Sequence, residues 1–95
     1  MAIYVVARWR AKDGEDERVA SLLSQIVAAS RAEPGCLEYR AVRAREDQRA
    51  FVLFEGYADE AALAAHRESA HFRTLVLGQV VPLLDERDVT VCTAL

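Results

Sequence analysis

Ninety-five residues amount to one domain and leave no room for a second. Hydrophobic residues at 53% exclude a disordered tail, and a formal net charge of −3 speaks against a nucleic-acid binder, which would present a basic face. No apolar run approaches the roughly 18 residues that span a bilayer, and the opening MAIYVVAR has no basic stretch ahead of its apolar one, so the expected address is cytoplasmic, with no membrane partner.

Residues 2–10 (AIYVVARWR) predict a first strand, rich in β-branched and aromatic residues. One face carries Ile3, Val5, Ala7 and Trp9, the other Tyr4, Val6, Arg8 and Arg10. Lys12-Asp13-Gly14 is a turn in which Asp13 or Gly14 can cap the helix after it. Val19, Leu22, Leu23, Ile26, Val27 and Ser30 recur at helical spacing over residues 15–33, and Pro34-Gly35 ends that helix. Residues 36–45 and 50–57 predict two strands; the turn at residues 46–49 is short enough to make them antiparallel neighbours.

Asp59 caps a second helix over EAALAAHRES. A further helical piece at about residues 70–78 is expected to end at Gly78, with the apolar connector Val80–Leu84 after it. Residues 87–94 predict the last strand. Cys36 and Cys92 have neither CxxC spacing nor clustered histidines and read as small apolar fillers.

This order, β-α-β-β-α-β, is the split βαβ arrangement of a ferredoxin-like α+β sandwich: one antiparallel four-stranded sheet with helices on one face. Such a sheet alternates apolar with polar. Here Tyr4 and Val6 oppose Val5 and Ala7, and Val52 and Phe54 oppose Phe51 and Leu53. Two helices cover only one face, so the other is expected to meet a second copy in a homodimer, at about 800 Å² per partner. A few exposed apolar residues would be the plainer reading.

Four segments together resemble one family. Glu33-Pro34-Gly35-Cys36-Leu37-Glu38-Tyr39 is similar to the EPGCLxY signature of antibiotic biosynthesis monooxygenase (ABM) domains. Residues 51–57 (FVLFEGY) resemble the third strand of that family, residues 59–66 with Ser69-Ala70-His71-Phe72 its second helix and the segment after it, and Arg8-Trp9-Arg10 its opening. The resemblance implies a single ABM-like domain over residues 1–95 that pairs as a dimeric α+β barrel. Its members include cofactor-free oxygenases of quinols and aromatic polyketides, haem-degrading enzymes and an isomerase of a phosphorylated sugar, so the site must decide. The haem-degrading branch uses an Asn, and this chain has none.

Oxidation of a quinol-like or polyphenolic small molecule by O₂ without a cofactor needs a base, an apolar pocket and donors for the developing anion. Glu55, flanked on its strand face by Phe51, Leu53 and Tyr57, is the candidate base; it could instead pair with Arg8, Arg40 or Arg43. His66, beside Ala62 and Leu63, is the candidate proton shuttle, or a histidine that serves only the helix C-terminus. His71 is a second candidate against a structural role bonded to backbone. Trp9, Tyr39, Tyr57 and Phe72 are candidate substrate-binding aromatics, or plain core. Two histidines five apart, with no carboxylate at ligand spacing, predict no metal. A cofactor-free isomerase of a small hydroxyketone and a non-catalytic dimeric binding module are the alternatives.

Overall fold

Strand β1 (Ile3–Ala11) lies at the centre of the sheet in a computed structural model that describes residues 1–95. It is followed by α1 (Asp16–Arg31), β2 (Cys36–Arg43), β3 (Ala50–Tyr57), α2 (Glu60–Glu68), a π-helix α3 (Phe72–Val80), a 3-10 turn at Val81–Leu83 and β4 (Leu84–Thr93). The four strands are antiparallel in the order β2-β3-β1-β4, the expected ferredoxin-like arrangement.

The register puts Val5 opposite Glu55, Ala7 opposite Leu53 and Trp9 opposite Phe51. This face is buried under α1 and α3, whose Val19, Leu22, Leu23, Ile26, Val76 and Val80 complete the core. The helical stripe of α1 is therefore the one its periodicity predicts. The start of α1 differs: Glu15 is its N-cap, and no side chain caps it. Asp59 does cap α2, accepting from the Ala62 N–H at 2.8 Å.

Further boundaries differ from expectation, β2 ending at Arg43 rather than at residue 45. Gly78 does not stop the third helix, which runs to Val80 with wide π winding. That winding brings the Arg73 carbonyl so close that a Cβ at residue 78 would stand 3.2 Å from its oxygen, so glycine lets the helix pass rather than breaking it. Pro82 sits in the 3-10 turn, which frees β4 to start at Leu84, three residues before the predicted Arg87. The opposite sheet face, with Tyr4 stacked on Phe54 and Val42 and Val52 beside them, is uncovered by this chain.

Candidate active site

The turn after α1 is where the site is assembled. Pro34-Gly35 ends the helix, and the Ala58 N–H donates to the Gly35 carbonyl at 2.9 Å. A Cβ at residue 35 would lie 2.5 Å from the Ala62 Cβ, so only glycine lets α2 pack this close to the turn. That approach brings the Glu33 carboxylate to α2. Its Oε2 is 2.8 Å from His66 Nδ1 and 2.6 Å from Nε2 of His71. Ser69 fixes the second histidine relative to the first: its hydroxyl donates to the His66 carbonyl at 2.6 Å and accepts from the Phe72 N–H at 3.2 Å.

His66 is almost fully buried, with the rings of Tyr57, Phe72, Tyr39 and His71 at 5.1, 5.2, 5.7 and 5.8 Å. Burial pushes its pKa below the usual imidazole range, against the upward pull of Glu33. Both rings aim a nitrogen at one carboxylate oxygen, so each donates its N–H there. His66 Nε2 is then a lone pair, 3.8 Å from Oε1 of Glu55.

Glu55 is 6% exposed on the central sheet. Burial pushes its carboxyl up to about 7; the Tyr57 hydrogen bond and the charge of Arg67 pull the other way, and Glu33 adds to the rise. The Tyr57 hydroxyl donates to Glu55 Oε1 at 2.5 Å. A carboxyl near neutrality can both take and return a proton at physiological pH.

Glu55 lines a recess of about 40 Å³ between the sheet and the start of α3, together with Trp9, Tyr39, Arg67, Phe72 and Arg87. The indole Nε1 of Trp9 is buried without a hydrogen-bond partner. The recess is too small for an aromatic ring, which in apolar cores takes a cavity of about 150 Å³. It accommodates a hydroxyl, a water or O₂. Beside it, Val89 and Val91 on β4 share the face of Val5 and Ala7 and are 39% and 51% exposed, a shelf on which a ring can rest. The largest concavity, about 550 Å³, is elsewhere, between α1 and the edge strand β2; it has no acid–base pair, and its Arg43 is engaged by Glu17 at 3.0 Å.

The structure thus brings His66, Glu55, His71, Tyr39 and Phe72 into one cluster and puts Trp9 on the recess beside them. Tyr57 is placed differently from its expected role: it is fully buried and holds Glu55 from behind. No arginine pairs with Glu55. Arg8 and Arg40 stand opposite Val52 and Phe54, on the other sheet face, and Arg43 lies over the Phe51 ring. His71 bonds a carboxylate rather than backbone.

Glu33 is the residue that sequence reasoning missed, because spacing compares neighbours in the chain and the fold joins residues 33, 66 and 71. Its one signal was a place in the segment that resembles the family signature. Ligand atoms of Glu33, His66 and His71 lie within 4.8 Å of one another, a donor set that could also hold a divalent transition metal.

A ferredoxin-like sheet thus carries a buried acid–histidine cluster beside a small recess. The chain belongs to the antibiotic biosynthesis monooxygenase family, which it matches over residues 2–76. It is 34% identical over 74 residues to "Putative monooxygenase YcnE" of Bacillus subtilis (strain 168), covering 78% of each chain. It is similar in structure to Rv0793 of Mycobacterium tuberculosis, with a TM-score of 0.92 at 31% identity, covering 100% of this chain and 96% of that one. PA3566 of Pseudomonas aeruginosa gives 0.91 at 32% identity, covering 99% and 94%.

Proposed function

We propose that the protein is a cofactor-independent monooxygenase of a quinol-like or polyphenolic small molecule. One observation carries this reading: a buried carboxyl poised near neutrality lines a recess, with the His66 ring 3.8 Å behind it and hydrogen-bonded in turn to the partly exposed Glu33. Glu55 takes the proton of a substrate hydroxyl. The proton passes to His66 Nε2 once the 3.8 Å gap closes, and the His66 Nδ1–H then moves to the partly exposed Glu33, which His71 holds in place by its own N–H. The buried indole N–H of Trp9 is a donor for the phenolate oxygen. The electron-rich anion reduces O₂: one oxygen atom enters a ring carbon and the other leaves as water. All four electrons come from the substrate, which ends as a hydroxyquinone.

The uncovered face around Tyr4 and Phe54 supports pairing with a second copy, as a homodimer.

Oxygen uptake with hydroquinones tests the reading. We expect one O₂ consumed per substrate, with one labelled oxygen in the product, and a kcat about 10²–10³-fold lower in Glu55→Gln. An unchanged rate in that variant would remove Glu55 from its role. Equal product formation under argon would replace oxygenation by proton-transfer isomerisation.

A further inference from the structure

The polar groups of the recess are unequal in kind. Apart from Glu55, each charged group or side-chain N–H donor on its wall bears protons and no anion: the Trp9 indole and the guanidiniums of Arg67 and Arg87. Trp9 is 4% exposed and its Nε1 has no partner. Arg67 follows His66 on the last turn of α2, and Arg87 stands directly opposite Trp9 in the register of β1 and β4. Neither arginine has a carboxylate within ion-pair distance, whereas Arg10, Arg40, Arg43 and Arg49 all do. Arg87 is flanked in sequence by Glu86 and Asp88, but alternation along the strand sends those side chains to the other sheet face. Two cations from separate elements therefore line one recess, neither paired with a carboxylate; Glu55 on the same wall feels the charge of both without pairing with either.

We infer that the substrate is an anion, a hydroxyaromatic carrying a carboxylate close to its reacting hydroxyl, with Arg67 and Arg87 as the residues that select it. The inference rests on reading this recess as the substrate site. In the bound arrangement the hydroxyl enters the recess beside Glu55 and the ring lies over Val89. The carboxylate stays at the rim, where guanidiniums pair with planar oxyanions in a bidentate fork. A neutral quinol would use the same recess and shelf but leave both arginines unmatched.

Isothermal titration of the full chain under argon separates binding from turnover, with gentisate (a hydroquinone bearing one ring carboxylate) against hydroquinone itself. Gentisate is expected to bind about tenfold more tightly, since partly exposed ion pairs of this kind are worth roughly threefold to fivefold each. Raising the salt should shrink that ratio. Arg67→Ala and Arg87→Ala should each lower it by about threefold, and the double variant should bring it to about one, by weakening gentisate.

Equal affinities in the wild type, or arginine variants that weaken both ligands alike, would overturn the inference. A carboxylate preference without O₂ uptake by either compound would uphold it while removing the oxygenase reading. Turnover of hydroquinone with no preference for gentisate would do the reverse.

Discussion

Replacing Glu55 by Gln keeps the shape of the side chain and an acceptor for the Tyr57 hydroxyl, but removes the ionisation. In the folded wild type burial holds this carboxyl at about 7, against 4.5 when it is freely solvated. The folded chain thus retains a proton that the unfolded chain releases. Stability falls as pH rises from about 4.5 through 7 and is level beyond. Two and a half pKa units at about 1.36 kcal/mol each make the loss about 3 kcal/mol. His66 acts with the opposite sign: its folded pKa is lowered, so it costs stability as pH falls below its ordinary 6.5. His66 is present in both proteins, so most of its effect cancels when they are compared. Urea unfolding at one protein concentration, from about pH 4.5 to pH 9, should show Glu55→Gln gaining about 3 kcal/mol on the wild type across that range. Curves that stay parallel within about 0.5 kcal/mol would mean that Glu55 ionises freely in the folded protein, and the poised base would be lost with it.

Gly35→Ala should push α2 off the turn, because the new Cβ has only 2.5 Å to the Ala62 Cβ. Overpacking of this kind costs about 1–3 kcal/mol in thermal or urea unfolding, and turnover should fall further than stability because Glu33 leaves His66. Phe54→Arg on the uncovered sheet face should turn a homodimer into monomers in sedimentation at micromolar concentration; a wild type that sediments as a monomer would refute the pairing. Chelators should leave hydroquinone oxidation unchanged, whereas Zn²⁺ should inhibit it by taking the Glu33, His66 and His71 ligand atoms out of proton transfer. Activity that disappears with a chelator and returns with metal would make that cluster a metal centre instead.

What the sequence showed and what it hid divide along physical lines. The stripe of α1, the Asp59 cap and the sets of residues that share a face on β1 and β3 are local patterns, and each appears where it was expected. The end of α3 was hidden because a glycine that relieves crowding in a π-wound helix looks like one that stops a helix. The early start of β4 was hidden because Pro82 and the charges at Asp85 and Glu86 obscure a strand that pairs along an edge. Glu55 and His66 were legible because an acid among apolar strand residues and a histidine on an alanine-rich helix are locally anomalous. Glu33 was not, since an acid before Pro-Gly is ordinary until α2 closes on it. Arg67 and Arg87 were lost among eleven arginines, and only the fold, which lines one recess with both and sets Arg87 against Trp9, separates them from the rest.

In the reaction proposed above, the energetics of proton removal call for both the buried acid of the recess and its donors. A phenolic hydroxyl releases its proton near pH 10, and an ordinary glutamate holds one near 4.3, so transfer between them is uphill by about 8 kcal/mol. Raising Glu55 to about 7 cuts the climb to about 4 kcal/mol, at three units of about 1.36 kcal/mol. The stability sacrificed by burying the acid is thus the same free energy that makes it a stronger base, and protonation by the substrate restores it. The remaining gap falls to groups that stabilise the anion formed. A hydrogen bond to a charged oxygen contributes about 1.5–3 kcal/mol, so in that reaction the unpartnered Trp9 indole alone would supply a large part. The guanidiniums of Arg67 and Arg87 would add to it through their field, without having to touch the reacting oxygen. Removing the indole donor by Trp9→Phe should therefore raise the barrier by about 1.5–3 kcal/mol, a loss of roughly 10–150-fold in kcat, with little change in how tightly the protonated substrate binds. A weaker ground-state affinity with kcat unchanged would place the indole against the substrate before the proton leaves, and the anion would then need another source of stabilisation.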